Sequence, residues 1–206
     1  MRKIGSVHIH GNRKENKIAL TFDDGPSEET KKVLKILKKY GAKATFFIWG
    51  ERINGREIII EKILKEGHEL GNHSYHHIRL WFKSKNYVEE DIRRCDVELE
   101  KFGVKTNLFR SPGLSMSYNL LKICKKLKKE FIACDVISND WKKKGVRYSV
   151  MRVLEKTKNG SIINFHDYLE GIGTNEEIIP ILEKVLPELR KKYKLVTVSD
   201  LLFSSS

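Results

Sequence analysis

Ile18-Ala19-Leu20-Thr21-Phe22 is a run of apolar and β-branched residues that ends abruptly in Asp23-Asp24-Gly25-Pro26. Ser27-Glu28-Glu29-Thr30 follows, an N-cap residue with acidic neighbours, and Val33, Leu34 and Leu37 then recur at helical spacing up to Tyr40-Gly41. A second apolar run, Ala44-Thr45-Phe46-Phe47-Ile48, closes the unit. Strand, turn, amphipathic helix and strand in this order predict a βαβ unit, whose strands must lie parallel and whose crossover is right-handed.

The same alternation extends outward along the chain. His68 to Gly71, Phe131 to Cys134, Ile162 to Phe165 and Leu195 to Val198 are further strand candidates, and a short strand ends at Phe109. Helical patterns run about Glu57 to Lys65, Val88 to Lys101, Tyr118 to Lys128, Tyr148 to Lys156 and Asn175 to Lys192. The fold class is therefore α/β, as an open sheet or an irregular barrel, with functional residues expected just past the C-terminal ends of strands.

At 206 residues, with 40% hydrophobic and 33% charged side chains, the chain reads as a single globular domain with its core at about 18–202. That composition excludes a disordered protein. The apolar runs Ala44 to Gly50 and Glu57 to Ile60 are far shorter than the roughly 20 residues of a membrane span. Met1-Arg2-Lys3-Ile4-Gly5-Ser6 is basic but leads into no apolar stretch of the kind a secretion signal carries, so a cytoplasmic location is expected. Ser204-Ser205-Ser206 reads as a disordered end. Cys95, Cys124 and Cys134 form no CxxC pair and are expected to be buried thiols. A net charge of +13 permits peripheral contact with an anionic surface. The cations are spread along helices, without the arginine and aromatic stripe of a nucleic-acid reader, and the chain lacks Gln, as in lysine-rich heat-loving proteomes. No nucleic-acid partner is expected.

The polar residues collect where the fold class says they should. Asp23 and Asp24 end the first strand, and because adjacent strand residues face opposite sides, both can serve one site only if the backbone turns irregular, as Gly25-Pro26 would allow. After the strand at His68 comes Asn72-His73-Ser74-Tyr75-His76-His77. On a helical turn His73 and His77 would share a face and could grip one cation with a nearby carboxylate, while His76 would face elsewhere and His68 would be a satisfied core histidine. Arg110-Ser111-Pro112-Gly113 follows the strand at Phe109, offering a planar fork for a carboxylate and backbone N–H groups at Gly113. Ser138-Asn139-Asp140-Trp141 supplies an aromatic that can line a sugar groove or pack as core, and Ile162-Ile163-Asn164-Phe165-His166-Asp167 ends in a candidate acid or base, His166. His8 and His10 form an HxH pair on a short edge strand and are set aside, because the other set is already complete.

Thr21 to Pro26, Gly67 to His77, Arg110 to Gly113, Asp140-Trp141 and Phe165-His166-Asp167 together resemble the polysaccharide deacetylases, the NodB-homology or carbohydrate esterase 4 family, with Tyr40 to Phe47 similar to the family's second strand. The order and spacing match from about Ile18 to Leu202. The resemblance implies a distorted (β/α) barrel and metal-assisted hydrolysis of an N-acetyl group on an amino-sugar glycan, such as a chitin oligosaccharide, a peptidoglycan-type glycan or a lipid-linked sugar. It implies that Asp24, His73 and His77 bind the metal, that Asp23 is the base, that Arg110 orients Asp23, and that His166 donates a proton while Asp140 holds it charged. Two imidazoles and a carboxylate suit zinc, and Co2+, Ni2+, Mn2+ or Fe2+ accept the same set.

Two positions depart from the family pattern. Gly113 and Leu114 follow Pro112 directly where an aromatic residue is usual, which removes a side-chain wall of the groove. Asn164 stands where a leucine usually helps form the acetyl pocket, which makes a smaller or more polar acyl group such as formyl conceivable. Gly113, Trp141 and Asn164 are thus the expected substrate contacts. Two alternatives follow: an amidase or deformylase using the same site on a related non-polymer substrate, and a catalytically silent carbohydrate-binding domain. The pairing of Asp23 with His166 argues against the second, since a binder needs no proton acceptor and donor.

Overall fold

The computed structural model describes residues 7–142 and 144–204, so the basic N-terminal start and the last two serines of the tail lie outside the described residues. Among the described residues, nine strands form one sheet in the order β1-β6-β5-β4-β3-β2-β8-β7, with β9 paired to β2. They are β1 (Val7–His8), β2 (Lys17–Asp23), β3 (Ala44–Ile48), β4 (Glu69–Asn72), β5 (Leu108–Phe109), β6 (Glu130–Ile132), β7 (Val136–Ile137), β8 (Ile162–His166) and β9 (Lys194–Val196). Every ladder between them is parallel. The helices are α1 (Glu28–Lys39), α2 (Glu57–Lys65), α3 (Lys85–Glu100), α4 (Tyr118–Lys126), α5 (Val146–Lys156), α6 (Ile178–Lys192) and α7 (Val198–Leu202).

The sheet curls into a distorted barrel whose outer edges, β1 and β7, do not pair as a ladder. Beyond β1 the chain crosses instead to the start of β8, where His10 bridges Ser161, the Gly11 N–H donates to the Gly160 carbonyl at 2.7 Å, and Arg13 meets Asp135 at 2.7 Å. This irregular seam closes the barrel without a continuous ladder.

Alternation along the strands sorts side chains into an outer and an inner set. Phe22, Phe46 and Phe165 point outward and stack, with ring centroids 5.1 and 5.7 Å apart, beneath the apolar faces of α1, α2, α5 and α6. A second outer cluster joins α3 and α4 to Phe109 and Phe131. The inner set has two layers. Ala19, Phe47, Leu108, Ile132 and Ile162 fill the lower part, and Val198 and Leu201 of α7 plug it from beneath. Above them the inward positions turn polar, with Thr21, Asp23, His73, Arg110 and Asn164, all buried.

Several expected boundaries moved for local reasons. Val198 begins a helix and does not end a strand, because Thr197 caps α7 by accepting from the Asp200 N–H. The helix expected from Asn175 starts at Ile178, since the Asn175 side chain is engaged elsewhere. β7 was not anticipated, as two residues are too few for a readable period. Ser27 caps α1 as expected, in a reciprocal box with Thr30.

Truncating the middle ring of the outer stack tests this packing. Phe22→Ala is expected to cost about 3–5 kcal/mol, the usual range for a fully buried phenylalanine. Urea denaturation should show the midpoint falling with the slope unchanged; a loss under 1 kcal/mol would mean that the stack collapses without a cavity.

Candidate active site

The upper, polar layer opens into a cleft of about 520 Å³ at the C-terminal ends of the strands. Parallel pairing of β2 with β8 sets Asp23 beside His166, and pairing of β2 with β3 and β3 with β4 carries Asn72, just before His73, to the same level. A second cleft of about 690 Å³ lies at the opposite end, between α1 and α2, lined by lysines with His68 at its edge. Among the described residues, the one cluster of metal-type ligands lies in the first, smaller cleft and not in this one.

Asp23 ends β2 and Asp24 begins the turn. The backbone turns irregular here as expected: the Gly25-Pro26 bond is cis, and Asp24 itself, which the sequence did not mark, has a φ of 74° in the left-handed region. Arg110, with no exposed surface, donates from Nη1 to Asp23 Oδ1 at 2.8 Å and to Thr21 Oγ1 at 2.7 Å. Its Nε and Nη2 donate to the carbonyls of Ile132 and Ala133 at 3.0 and 3.1 Å. Its guanidinium lies 4.1 Å from the centre of the Phe47 ring. That ring has room only because residue 71 is glycine: a Cβ there would stand 2.5 Å from a Phe47 ring carbon.

His73 and His77 come together on a loop and not on the helical turn expected from their spacing. Ser74 and His77 both have positive φ, 67° and 54°, and the loop brings the two rings to 5.0 Å. Helix α3 holds this loop. Asp91 accepts from the Tyr75 and His76 N–H groups at 3.2 Å and pairs with the His76 ring, which turns away from the cleft, and Asn72 donates to Asp96 and to the Ile92 carbonyl at 2.8 Å. The His73 Nδ1–H donates to the Arg110 carbonyl at 2.7 Å, which turns Nε2 towards Asp24, 3.3 Å from its Oδ1. His77 Nε2 is 2.8 Å from the same oxygen. Trp49 stacks on the His77 ring at 4.6 Å and Glu170 Oε2 stands 3.3 Å from its Nδ1.

Asp24, His73 and His77 are, among the described residues, the one group of metal-type ligands whose atoms lie within 4.8 Å of one another. A divalent cation fits this set. His77 Nε2 is buried and close to Asp24, yet has no hydrogen-bond partner, and His73 is oriented through its other nitrogen by a carbonyl, as metal-binding imidazoles are. Burial opposes ionisation of Asp24, but the two imidazoles outweigh it and hold its carboxyl well below the ordinary range. Burial likewise opposes a charged His77, and Asp24 overturns this to raise its pKa.

Across the cleft, His166 ends β8. Its backbone N–H donates to Asp140 Oδ2 at 2.8 Å and its Nδ1 to Asp140 Oδ1 at 2.9 Å. Asp140 also accepts from Ser138 and Asn175, so it stays fixed. Burial works against a charged imidazole, yet Asp140 by charge and hydrogen bond, with Asp24 and Asp23 behind it, lifts the His166 pKa to about 9. Trp141 meets the His166 ring edge-on at 4.9 Å, and Gly113, with φ 62°, lines the same cleft with Leu114, Arg79 and Ile172. Asn164 also lines it, and its Nδ2 donates to Asp23 Oδ2 at 2.8 Å.

Asn175, Asp91 and Trp49 hold this site and were not singled out in the sequence, where nothing in their neighbourhoods marks them. His68 is a core histidine, accepting from the Ala44 N–H at 3.2 Å, with burial lowering its pKa to about 4. His8 pairs with Glu130 at 2.8 Å and His10 with the Gly11 carbonyl, away from the cleft. The Cys95 and Cys124 thiols are buried and Cys134 is half-buried, with burial pushing Cys124 up to about 12 and Cys134 to about 11.

The model of a family described as polysaccharide deacetylase matches residues 10–132. A peptidoglycan-N-acetylglucosamine deacetylase of Bacillus cereus is 36% identical, over 91% of this chain and 89% of that protein. The peptidoglycan-N-acetylmuramic acid deacetylase PdaA of Bacillus subtilis is 31% identical, over 94% of this chain and 74% of that one. Among solved structures, the Bc1960 peptidoglycan N-acetylglucosamine deacetylase, in complex with an N-hydroxybenzamide, superposes with a TM-score of 0.91 at 29% identity, over 98% of this chain and 94% of that chain.

Two outcomes are expected of this geometry. Arg110→Met leaves Asp23 buried without its cation and should cost about 3–5 kcal/mol, whereas adding Asp23→Asn should recover much of it; equal losses in single and double variants would mean that the pair is uncoupled. His166 has a folded pKa of about 9 against an ordinary 6.5, so its charge stabilises fully below pH 6.5 and the effect is lost as pH rises through 9. With chelator present, the stability gap between wild type and His166→Gln should be widest near pH 6 and narrow towards pH 10.

Proposed function

The chain belongs to the polysaccharide deacetylase family, hydrolases of carbon–nitrogen bonds, and from that premise we propose that it removes N-acetyl groups from the amino sugars of a peptidoglycan-type glycan, with a divalent cation, zinc by preference, held by Asp24, His73 and His77. One observation carries the reading: a buried Asp-His-His cluster in which both imidazole Nε2 atoms converge on one carboxylate oxygen, flanked by a second carboxylate and by a histidine held in its charged form. The donor set of two imidazoles and a carboxylate supports zinc, and nickel, cobalt, manganese or iron would bind the same atoms.

When bound there, the cation would supply Lewis-acid polarisation of the acyl oxygen and make a neighbouring water more acidic. Asp23 is the base, pinned by Arg110 through Oδ1, and accepts the proton that the attacking water gives up. As the water oxygen bonds to the acyl carbon, the carbon–nitrogen bond breaks and the departing sugar nitrogen takes a proton from His166. Asp140 keeps that proton available by holding the ring through Nδ1, which turns Nε2 to the substrate. The chain then holds an Asp23 that has gained a proton and a His166 that has lost one, and solvent exchange restores both.

Trp141, edge-on to His166, and the apolar wall of Leu114 and Ile172 form the groove that receives the sugar ring, beside Gly113, where a side chain would meet only open space. The protein similar in structure that binds an N-hydroxybenzamide suggests a probe, since hydroxamates combine a metal-chelating head with an amide-like shape.

Acetate release from peptidoglycan fragments and chitin oligomers by metal-loaded protein tests the function. Asp23→Asn should abolish turnover, by about 10³-fold or more, with metal content by elemental analysis nearly unchanged; His73→Ala should lose the metal itself. Full activity in Asp23→Asn, or wild-type metal content in His73→Ala, would overturn the respective assignment. The N-hydroxybenzamide should bind the loaded protein and not the chelated one.

A further inference from the structure

Asn164 lies on β8 at 1% exposure, in register with Thr21 of β2, among the inward-facing positions of the barrel. Its Nδ2 makes a 2.8 Å hydrogen bond to Asp23 Oδ2 and a longer one, 3.4 Å, to the Phe165 carbonyl. A carboxylate only accepts when ionised, so the amide must present its nitrogen to Asp23 and not its oxygen. The other Asp23 oxygen, Oδ1, is already taken by Arg110 at 2.8 Å. Arg110 in turn is fixed by Thr21 and by the carbonyls of Ile132 and Ala133, so it cannot follow Asp23 if that side chain turns.

We infer that Asn164 is a positioning residue for Asp23, and not primarily a wall of the acyl pocket; the inference rests on the reading of Asp23 as the base. One donor on each oxygen fixes the plane of the carboxylate, because rotation about its Cβ–Cγ bond would break both bonds together. Oδ2 retains a second lone pair, and it stands 4.0 Å from His73 Nε2, on the side of the Asp-His-His cluster. That lone pair is the one left to take the water's proton. With Asn164 removed, Asp23 keeps a single bond to Arg110, about which the carboxylate can swing away from the cluster. A base out of line by a few tenths of an ångström loses rate and not substrate affinity.

The test replaces the amide by an apolar side chain of similar volume. Asn164→Leu in the full chain, loaded with zinc and assayed by release of acetate and of formate from N-acetyl and N-formyl chitin oligomers, is expected to lower kcat about 10- to 100-fold for both, with KM within about twofold and zinc content unchanged. An altered acetyl-to-formyl preference would make Asn164 an acyl-pocket residue and overturn the inference, as would an unchanged or raised kcat. Should Asn164→Leu fail to fold, Asn164→Asp has the same shape and, when ionised, no donor; it should lose at least as much kcat at pH 8, and wild-type turnover there would overturn the inference. Asp23→Asn is measured alongside. If Asp23→Asn stays active, the reading of Asp23 as the base fails and this inference with it. If Asp23→Asn is dead while Asn164→Leu is unimpaired, only the role of Asn164 fails.

Discussion

A guanidinium with no exposed surface, set in the middle of the barrel, is the constraint on which the upper half of this molecule depends. Taking Arg110 out of water is tolerable only if each face of its fork is answered, and here a carboxylate, a hydroxyl and the carbonyls of Ile132 and Ala133 answer it, with Phe47 beneath. Those partners come from β2, the end of β6 and the loop beyond it, and β3. The ion pair therefore fixes strand ends relative to one another at the level where the cleft opens. The carbonyl of the same residue orients His73, so one position joins the carboxylate side of the site to the imidazole side.

The division of the barrel interior into an apolar floor and a polar ceiling follows from this. Below Arg110, Phe47 and the α7 plug exclude water and give the sheet its packing; above it, inward positions carry groups that must be hydrogen-bonded if they are to be buried at all. Asp140 with Ser138 and Asn175, and Asp91 with the Tyr75-His76 backbone, are separate solutions to the same requirement. Each uses a carboxylate to collect backbone or side-chain donors, and each thereby holds a segment that carries an imidazole, the end of β8 with His166 in one case and the loop of His73 and His77 in the other. Asp167 is the exception. Burial pushes its carboxyl up to about 7, against the Thr30 hydroxyl that favours the ionised form, and its Oδ1 has no partner.

Part of the positive charge is placed by the geometry of the fold. All the strands run parallel, so the helix C-termini gather at the end of the barrel away from the cleft, and the last turns of α1, α2, α4, α5 and α6 are basic. Cations at helix C-termini interact favourably with the helix dipole, which accounts for their placement without reference to a partner.

Periodicity and turn chemistry were enough to read the α/β class, the βαβ unit from Ile18 to Ile48 and the bounds of α2 and β3, because apolar alternation and capping are local properties. The motif residues that face the cleft were legible for a related reason: in a parallel α/β fold the strand ends are where loops meet, so polar groups directly after a strand are already placed. What the sequence could not determine was how the backbone brings those groups into contact. The helical turn expected for His73 and His77 is a loop with left-handed residues at Ser74 and His77, and the bend at the two aspartates takes in a left-handed Asp24 as well as Gly25-Pro26, since φ at a non-glycine residue is chosen by the contacts around it. Asn164 reads as a wall of the acyl pocket until β8 is laid beside β2, when its amide is found on Asp23. Asp91, Asn175 and Trp49 had no signal at all, because a side chain that supports a site from a distant element is defined only by tertiary proximity.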